Sequence, residues 1–254
     1  MSNALRTSAN SSEIAEATVQ NASKVTCRVA RVEATSSEIR RIWLELADPA
    51  FAWRPGQYID LIREDGARRS FSIANRCSYD GIVELHVRLQ GTGRFVDSVL
   101  DSVIARAVLW IEGPFGDFRF HRNSQCDRTE AIFVAGGTGF GPFKAIIEEL
   151  VAVGERRPLH LYWGGRSADD LYLEQWLFEQ GDALPQLRYV PVLSDVQPGQ
   201  VNETRTGLVH RAVMDDFPDL RKCDVYVCGS PELVQAARTD LADLCGLPSS
   251  QFFC

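Results

Sequence analysis

Between residue 25 and about residue 122 the chain alternates apolar and polar positions in short bursts. Residues 25–32, 42–46, 82–89 and 108–112 each follow the two-residue period of a half-buried strand. Pro55-Gly56, Asp65-Gly66, Asp80-Gly81 and Gly113-Pro114 punctuate them as turns. Short strands at this spacing predict an antiparallel barrel or sandwich, with one helical break at about 94–101. Beyond a polar stretch at 121–129 the period changes. Residues 131–135 form a continuous apolar run, as in a strand of a parallel sheet covered on both faces. A glycine loop follows, then a helix with Pro142 at its first position and Phe143, Ile146, Ile147, Leu150 and Val151 on one face. Strands over 159–163, 187–193 and 224–228 are predicted next, with a helix over 169–179. A last helix is capped by Ser230, opened by Pro231, and turns Leu233, Val234, Ala237, Leu241 and Leu244 inward. Strands alternating with helices predict an α/β doubly wound parallel-sheet domain. The expected organisation is a leader over 1–24, a first domain over 25–123 and a second over 127–254.

Composition narrows the class without changing this outline. With 254 residues, 45% hydrophobic and 24% charged, the chain suits two ordinary globular domains. No run approaches the roughly 20 apolar residues of a membrane span. The net charge of −7 argues against the clustered basic face of a nucleic-acid binder. Residues 1–24 are rich in Ser, Asn and Ala and lack an apolar signal core, so they read as a disordered leader rather than an export signal. The seven cysteines, Cys27, Cys77, Cys126, Cys223, Cys228, Cys245 and Cys254, show no C-x-x-C spacing and neither an iron–sulfur nor a zinc pattern. They are expected to be free thiols in a reducing cytoplasm, with no metal site.

Four local features carry chemistry. Gly136-Gly137-Thr138-Gly139-Phe140-Gly141-Pro142 stands between a buried strand and a helix, where backbone approaches a pyrophosphate and the helix N-terminus holds its charge. Taken alone, such a loop is also compatible with a mere tight turn, because Gly164-Gly165-Arg166-Ser167 replaces the acidic residue of the strict dinucleotide fingerprint. Arg69-Ser70-Phe71-Ser72 places a phosphate-clamping arginine and a ring-stacking phenylalanine on one strand face; a surface Arg and a core Phe are the plainer alternative. Gly91-Thr92-Gly93-Arg94-Phe95 offers a second anion site. Cys228-Gly229-Ser230-Pro231 ends a strand where doubly wound folds place ligands, although a buried inert thiol is the default for a cysteine.

In this order and spacing, and together with Pro55-Gly56-Gln57-Tyr58 and Gly113-Pro114-Phe115-Gly116, these motifs resemble the ferredoxin–NADP⁺ reductase superfamily from about residue 25 onward. The likeness is greatest to the reductase part of CDP-6-deoxyglucoseen reductases and of bacterial oxygenase reductases, through Tyr58-Ile59-Asp60, Ile73-Ala74-Asn75 and Gly207-Leu208-Val209-His210. The resemblance implies an FAD-binding antiparallel β-barrel, an NAD(P)-binding domain, and transfer of a hydride from NADH or NADPH to the flavin N5. Arg69 would bind the FAD pyrophosphate, Phe71 would stack on the isoalloxazine with Ile73 beside it, and Ser72 would hydrogen-bond near N5. His86, Val87 and Arg88 would line the ribityl and phosphate region, and Gly93, Arg94 and Phe95 the pyrophosphate. Gly137, Thr138, Gly139 and Pro142 would hold the nicotinamide dinucleotide phosphates, and Arg166 its adenosine end. Cys228, with Gly229 and Pro231, would sit beside the nicotinamide. Ser72 and Cys228 are thus the candidate catalytic pair.

Three departures from the family pattern shape the expectation. No four-cysteine cluster domain is fused, so the electron acceptor is expected to be a separate ferredoxin or oxygenase component. Val96 stands where relatives have Ser or Thr. The sequence stops at Phe252-Phe253-Cys254, either leaving the nicotinamide face more open or marking a shortened chain. The alternative is a flavin reductase that releases free reduced flavin to a monooxygenase. A non-catalytic nucleotide sensor is a third reading, against which the Ser72 and Cys228 positions speak.

Overall fold

The computed structural model describes residues 22–89, 95, 99, 108–122, 130–195 and 204–254. Its first half is six antiparallel strands: β1 (Ser23–Ala34), β2 (Ile39–Leu46), β3 (Tyr58–Ile62), β4 (Arg68–Ser72), β5 (Ile82–Arg88) and β6 (Leu109–Phe115). They pair in the order β4-β3-β6-β1-β2-β5. Ile73, just past β4, bridges Leu85 of β5, and this contact nearly closes the sheet into a barrel. Alternation puts Val83, Leu85 and Val87 of β5 into a core shared with Ile42, Leu44, Ile59 and Ile111. Phe95 and Val99 are helical, and the rest of the helical break expected at 94–101 lies outside the described residues.

The second half is a six-stranded parallel sheet ordered β10-β9-β8-β7-β11-β12. Its strands are β7 (Glu130–Gly136), β8 (Leu159–Gly165), β9 (Leu187–Leu193), β10 (Arg205–Thr206), β11 (Cys223–Cys228) and β12 (Phe252–Phe253). Helices α1 (Phe140–Val153), α2 (Glu174–Gln180), α3 (Val209–Asp216) and α4 (Pro231–Cys245) cover the sheet. Together the halves form the barrel and doubly wound domain predicted. Strand order runs outward from β7 through β8 and β9 on one side and through β11 on the other. The carboxyl ends of β7 and β11 therefore flank the topological switch point, where such sheets bind ligands.

Three local expectations are corrected. Pro142 is the third residue of α1, because Gly137–Gly139 winds into a 3₁₀ turn and the helix starts at Phe140. The helix expected over 169–179 is divided into a 3₁₀ turn at Ala168–Asp170, opened by a capping box between Ser167 and Asp170, and α2, because Leu171 (φ −91°, ψ 44°) and Leu173 (φ −127°, ψ 24°) leave helical geometry between them. Leu244 is exposed, whereas Ala237 and Leu241 are buried as expected. Phe252 and Phe253 extend the sheet beside β11, with the Phe253 ring stacked 4.7 Å from Tyr226 and 4.5 Å from His121. No helix among the described residues is long and apolar enough to cross a membrane.

Candidate functional site

Two clefts open where the barrel meets the parallel sheet. The smaller, 430 Å³, has one wall from the barrel, Arg69, Phe71, Ser72 and His86, and another from the switch point, Gly137 and Cys228. The larger, 780 Å³, runs over the carboxyl end of the sheet past Gly164, Arg166, Leu208 and Ala236. Arg88, Gly136, Gly137 and Ser230 line both, so the two clefts share a wall.

The local sequence dictates much of this geometry. Strand β4 pairs with β3 in a register that sets Arg69 opposite Leu61, Phe71 opposite Ile59 and Ser72 opposite Tyr58. The Ser70 hydroxyl donates to Asp60 at 2.6 Å, so Ser70 is occupied with its own sheet. Phe71 packs against the barrel core with its ring 6.4 Å from that of Phe95. Across the cleft, Gly139 lies against the end of β11. A Cβ on Gly139 would stand 2.3 Å from the Cys228 carbonyl oxygen, so only glycine lets the loop come this close. Gly137 has φ of 51°, the left-handed region that favours glycine. Ser230 accepts from the Leu233 amide and caps α4. The Cys228 thiol is pushed up to about 12 by burial and then by the nearby Cys254, so it remains a neutral thiol.

Of the other anticipated residues, Thr138, Val87 and Gly229 also line the smaller cleft. Arg166 lines the larger one, 3.4 Å from Glu38. Ile73 is wholly buried in the barrel core and donates its amide to Gln57, so it supports the wall from behind. Pro142 is buried within α1, and Pro231 is the first residue of α4; both shape their helices. Gly93, Arg94 and Val96 lie outside the described residues.

The sequence reading missed four polar groups: Glu84, Lys144 and Tyr172 behind the clefts, and Asp170 on the wall of the larger one. The Glu84 carboxylate accepts from Arg41 Nε at 2.7 Å and Lys144 Nζ at 2.9 Å, with His86 Nε2 at 2.9 Å. Burial pushes its pKa up, but the His86 hydrogen bond, Lys144 and Arg41 together outweigh burial and bring it to about 2. Burial holds the His86 pKa below its usual value against the pull of Glu84. A neutral His86 that donates through Nε2 to Glu84 presents Nδ1 as acceptor to the Tyr172 hydroxyl at 2.8 Å. Asp170 pairs with Arg88 and accepts from the Arg166 amide at 2.7 Å. The available signals were charges at every second position of β5 and one lysine within an apolar helix.

The described part of the site fits a flavin and a dinucleotide. An arginine and a phenylalanine face the smaller cleft, and a glycine cradle that a Cβ would fill leads into the first turn of α1, whose amides lack intrahelical partners.

Residues 26–120 match the oxidoreductase FAD-binding domain family and residues 133–239 the oxidoreductase NAD-binding domain family. The CDP-6-deoxy-L-threo-D-glycero-4-hexulose-3-dehydrase reductase of Yersinia pseudotuberculosis is 37% identical over 231 residues, covering 89% of this chain and 67% of that protein. The NAD(P)H-flavin reductase of Aliivibrio fischeri is 31% identical, covering 84% of this chain and 90% of its own length. Reductase components of bacterial oxygenase systems are also relatives, and this chain spans less than two thirds of their length. Among solved structures, the Amycolatopsis reductase GcoB superposes with a TM-score of 0.80 at 31% identity, over 91% of this chain and 69% of that one.

Proposed function

The chain belongs to the ferredoxin reductase-like family of FAD- and NAD-binding oxidoreductases and is an NAD(P)H-dependent flavoprotein reductase, and from that premise we propose that it retains FAD and passes electrons to a separate ferredoxin or oxygenase component in the cytoplasm. The observation that carries the reading is the meeting of Ser72, Gly137 and Cys228 on one cleft whose barrel wall also holds Arg69 and Phe71. FAD, when bound, takes two electrons at once from the nicotinamide and releases them singly. The chain's own residues supply binding and orientation. Arg69 clamps phosphate and Phe71 offers its ring face to the flavin. Ser72 presents a hydroxyl at the end of β4, and Cys228 presents an uncharged thiol from the opposite wall. Glycines 137 and 139 bring backbone amides to the dinucleotide phosphates, and Arg166 covers the adenosine end.

A visible spectrum before and after gel filtration, followed by anaerobic NADH addition, tests this. A flavin band that co-elutes and bleaches supports it. A colourless protein that oxidises NADH only when free flavin is supplied favours the second reading, a flavin reductase, for which the near-complete coverage of the Aliivibrio fischeri enzyme speaks.

A further inference from the structure

Strand β5 turns Val83, Leu85 and Val87 into the barrel, so Glu84, His86 and Arg88 face outward. In an isolated barrel these three would be solvated. Here Glu84 is 3% exposed and His86 8%, because the second domain covers them. Each meets a partner from that domain: Glu84 meets Lys144 of α1, His86 meets Tyr172, and Arg88 meets Asp170. The partners come from the two segments that frame the nucleotide cleft, the helix behind the glycine loop and the turn after β8.

The innermost rung connects directly to the chemistry. Lys144, 2% exposed, donates to the Ala74 carbonyl at 3.1 Å as well as to Glu84. Ala74 donates its own amide to the Glu84 carbonyl at 2.8 Å. Ala74 follows Ser72 by two residues, and Lys144 follows Gly139 by five. The path from the serine to the glycine loop is therefore two short backbone segments joined by the buried Lys144, which bonds the Ala74 carbonyl and is held there by its ion pair with Glu84.

We propose that the outward face of β5 is an interdomain ladder that sets the glycine loop and Cys228 against Ser72, with Glu84, His86 and Arg88, and their partners Lys144, Tyr172 and Asp170, as positioning residues for electron transfer. The inference rests on the reading above and adds to it the part of the molecule that aligns the two half-sites. Hydride transfer demands near-contact geometry, so a small slip between domains slows the step while leaving each ligand's own contacts intact.

Tyr172→Phe removes one interdomain hydrogen bond with little change of shape. In the FAD-loaded protein, amides at 84–88 and 168–172 are expected to exchange about tenfold faster with deuterium, while β8 and β9 keep their protection. The limiting rate of flavin bleaching by NADH is expected to fall about tenfold, with half-saturating NADH and flavin content within about twofold of wild type. Asp170→Asn opens the outer rung and is expected to raise exchange over the same two segments, which keeps the test open if Tyr172→Phe does not fold. Wild-type exchange at both segments in a folded variant overturns the ladder. So does a bleaching rate that is unchanged, or that falls only in proportion to flavin content. If wild-type protein itself does not bleach with NADH, the functional reading fails, and the exchange data still decide whether the ladder joins the domains.

Discussion

Ser72 is half-buried at the end of β4 and faces the cleft shared with Cys228. If its hydroxyl aligns the reacting atoms, Ser72→Ala should keep its flavin and reduce it at least about tenfold more slowly, a loss of roughly 1.4 kcal/mol readable by stopped flow. Arg69→Ala should instead lose flavin on gel filtration, since a clamp acts on binding rather than on the transfer step. Glu84 and His86 predict an acid response. Both have pKa values below their ordinary ones in the folded chain, so the unfolded chain takes up more protons as pH falls. The His86 contribution is present above its ordinary 6.5 and is lost below it. The Glu84 contribution, a few kcal/mol, is present above 4.5 and is lost between there and about 2. Thermal midpoints recorded from neutral pH downward should fall in these two windows, and Glu84→Gln should flatten the lower one.

Among the elements, α4 shows how a legible signal and a misleading one sit side by side. Ser230 caps it and accepts the Leu233 amide at 3.3 Å, so Ser230→Ala should cost about 1 kcal/mol in a denaturant titration. Leu244 continues the apolar pattern of the same helix yet is 61% exposed, and Leu244→Gln should change stability by no more than about 0.5 kcal/mol. Ala237, Leu241 and Cys245 form the buried row at every fourth position, and Leu244 stands outside it, so the pattern identified the helix but drew its buried face too wide. The glycine loop carries a sharper expectation. Gly139→Ala places a methyl against the Cys228 carbonyl, so the loop must move away from β11. Isothermal titration should show weaker nucleotide binding with flavin content retained. Two short elements, β10 and β12, escaped the sequence reading because two-residue strands have no period to read.

For the whole molecule, the rungs along β5 bury polar groups of both domains in one interface. Breaking a buried ion pair leaves an uncompensated charge, so neither domain should melt alone. Calorimetry should show a single transition. Stripping FAD should lower that transition as a unit, and restoring FAD at about one hundred times its dissociation constant should add back about 2.7 kcal/mol. Two separate transitions would contradict the coupling.

The strand period of the first half, the buried run and helix period of the second, and the ordered motifs at 69–72, 136–142 and 228–231 are properties of consecutive residues. The sequence by itself was therefore enough to predict the two-domain plan and most of the residues that line the smaller cleft, but few of those along the larger one. Period two told which side of β5 each residue takes, with Val83, Leu85 and Val87 on one side and Glu84, His86 and Arg88 on the other. It carried no information on what covers the polar side. Only the tertiary structure decided that, because Lys144, Tyr172 and Asp170 lie 60, 86 and 82 residues away along the chain from their partners. A contact over such a separation depends on how one domain docks on another, and no local pattern encodes it.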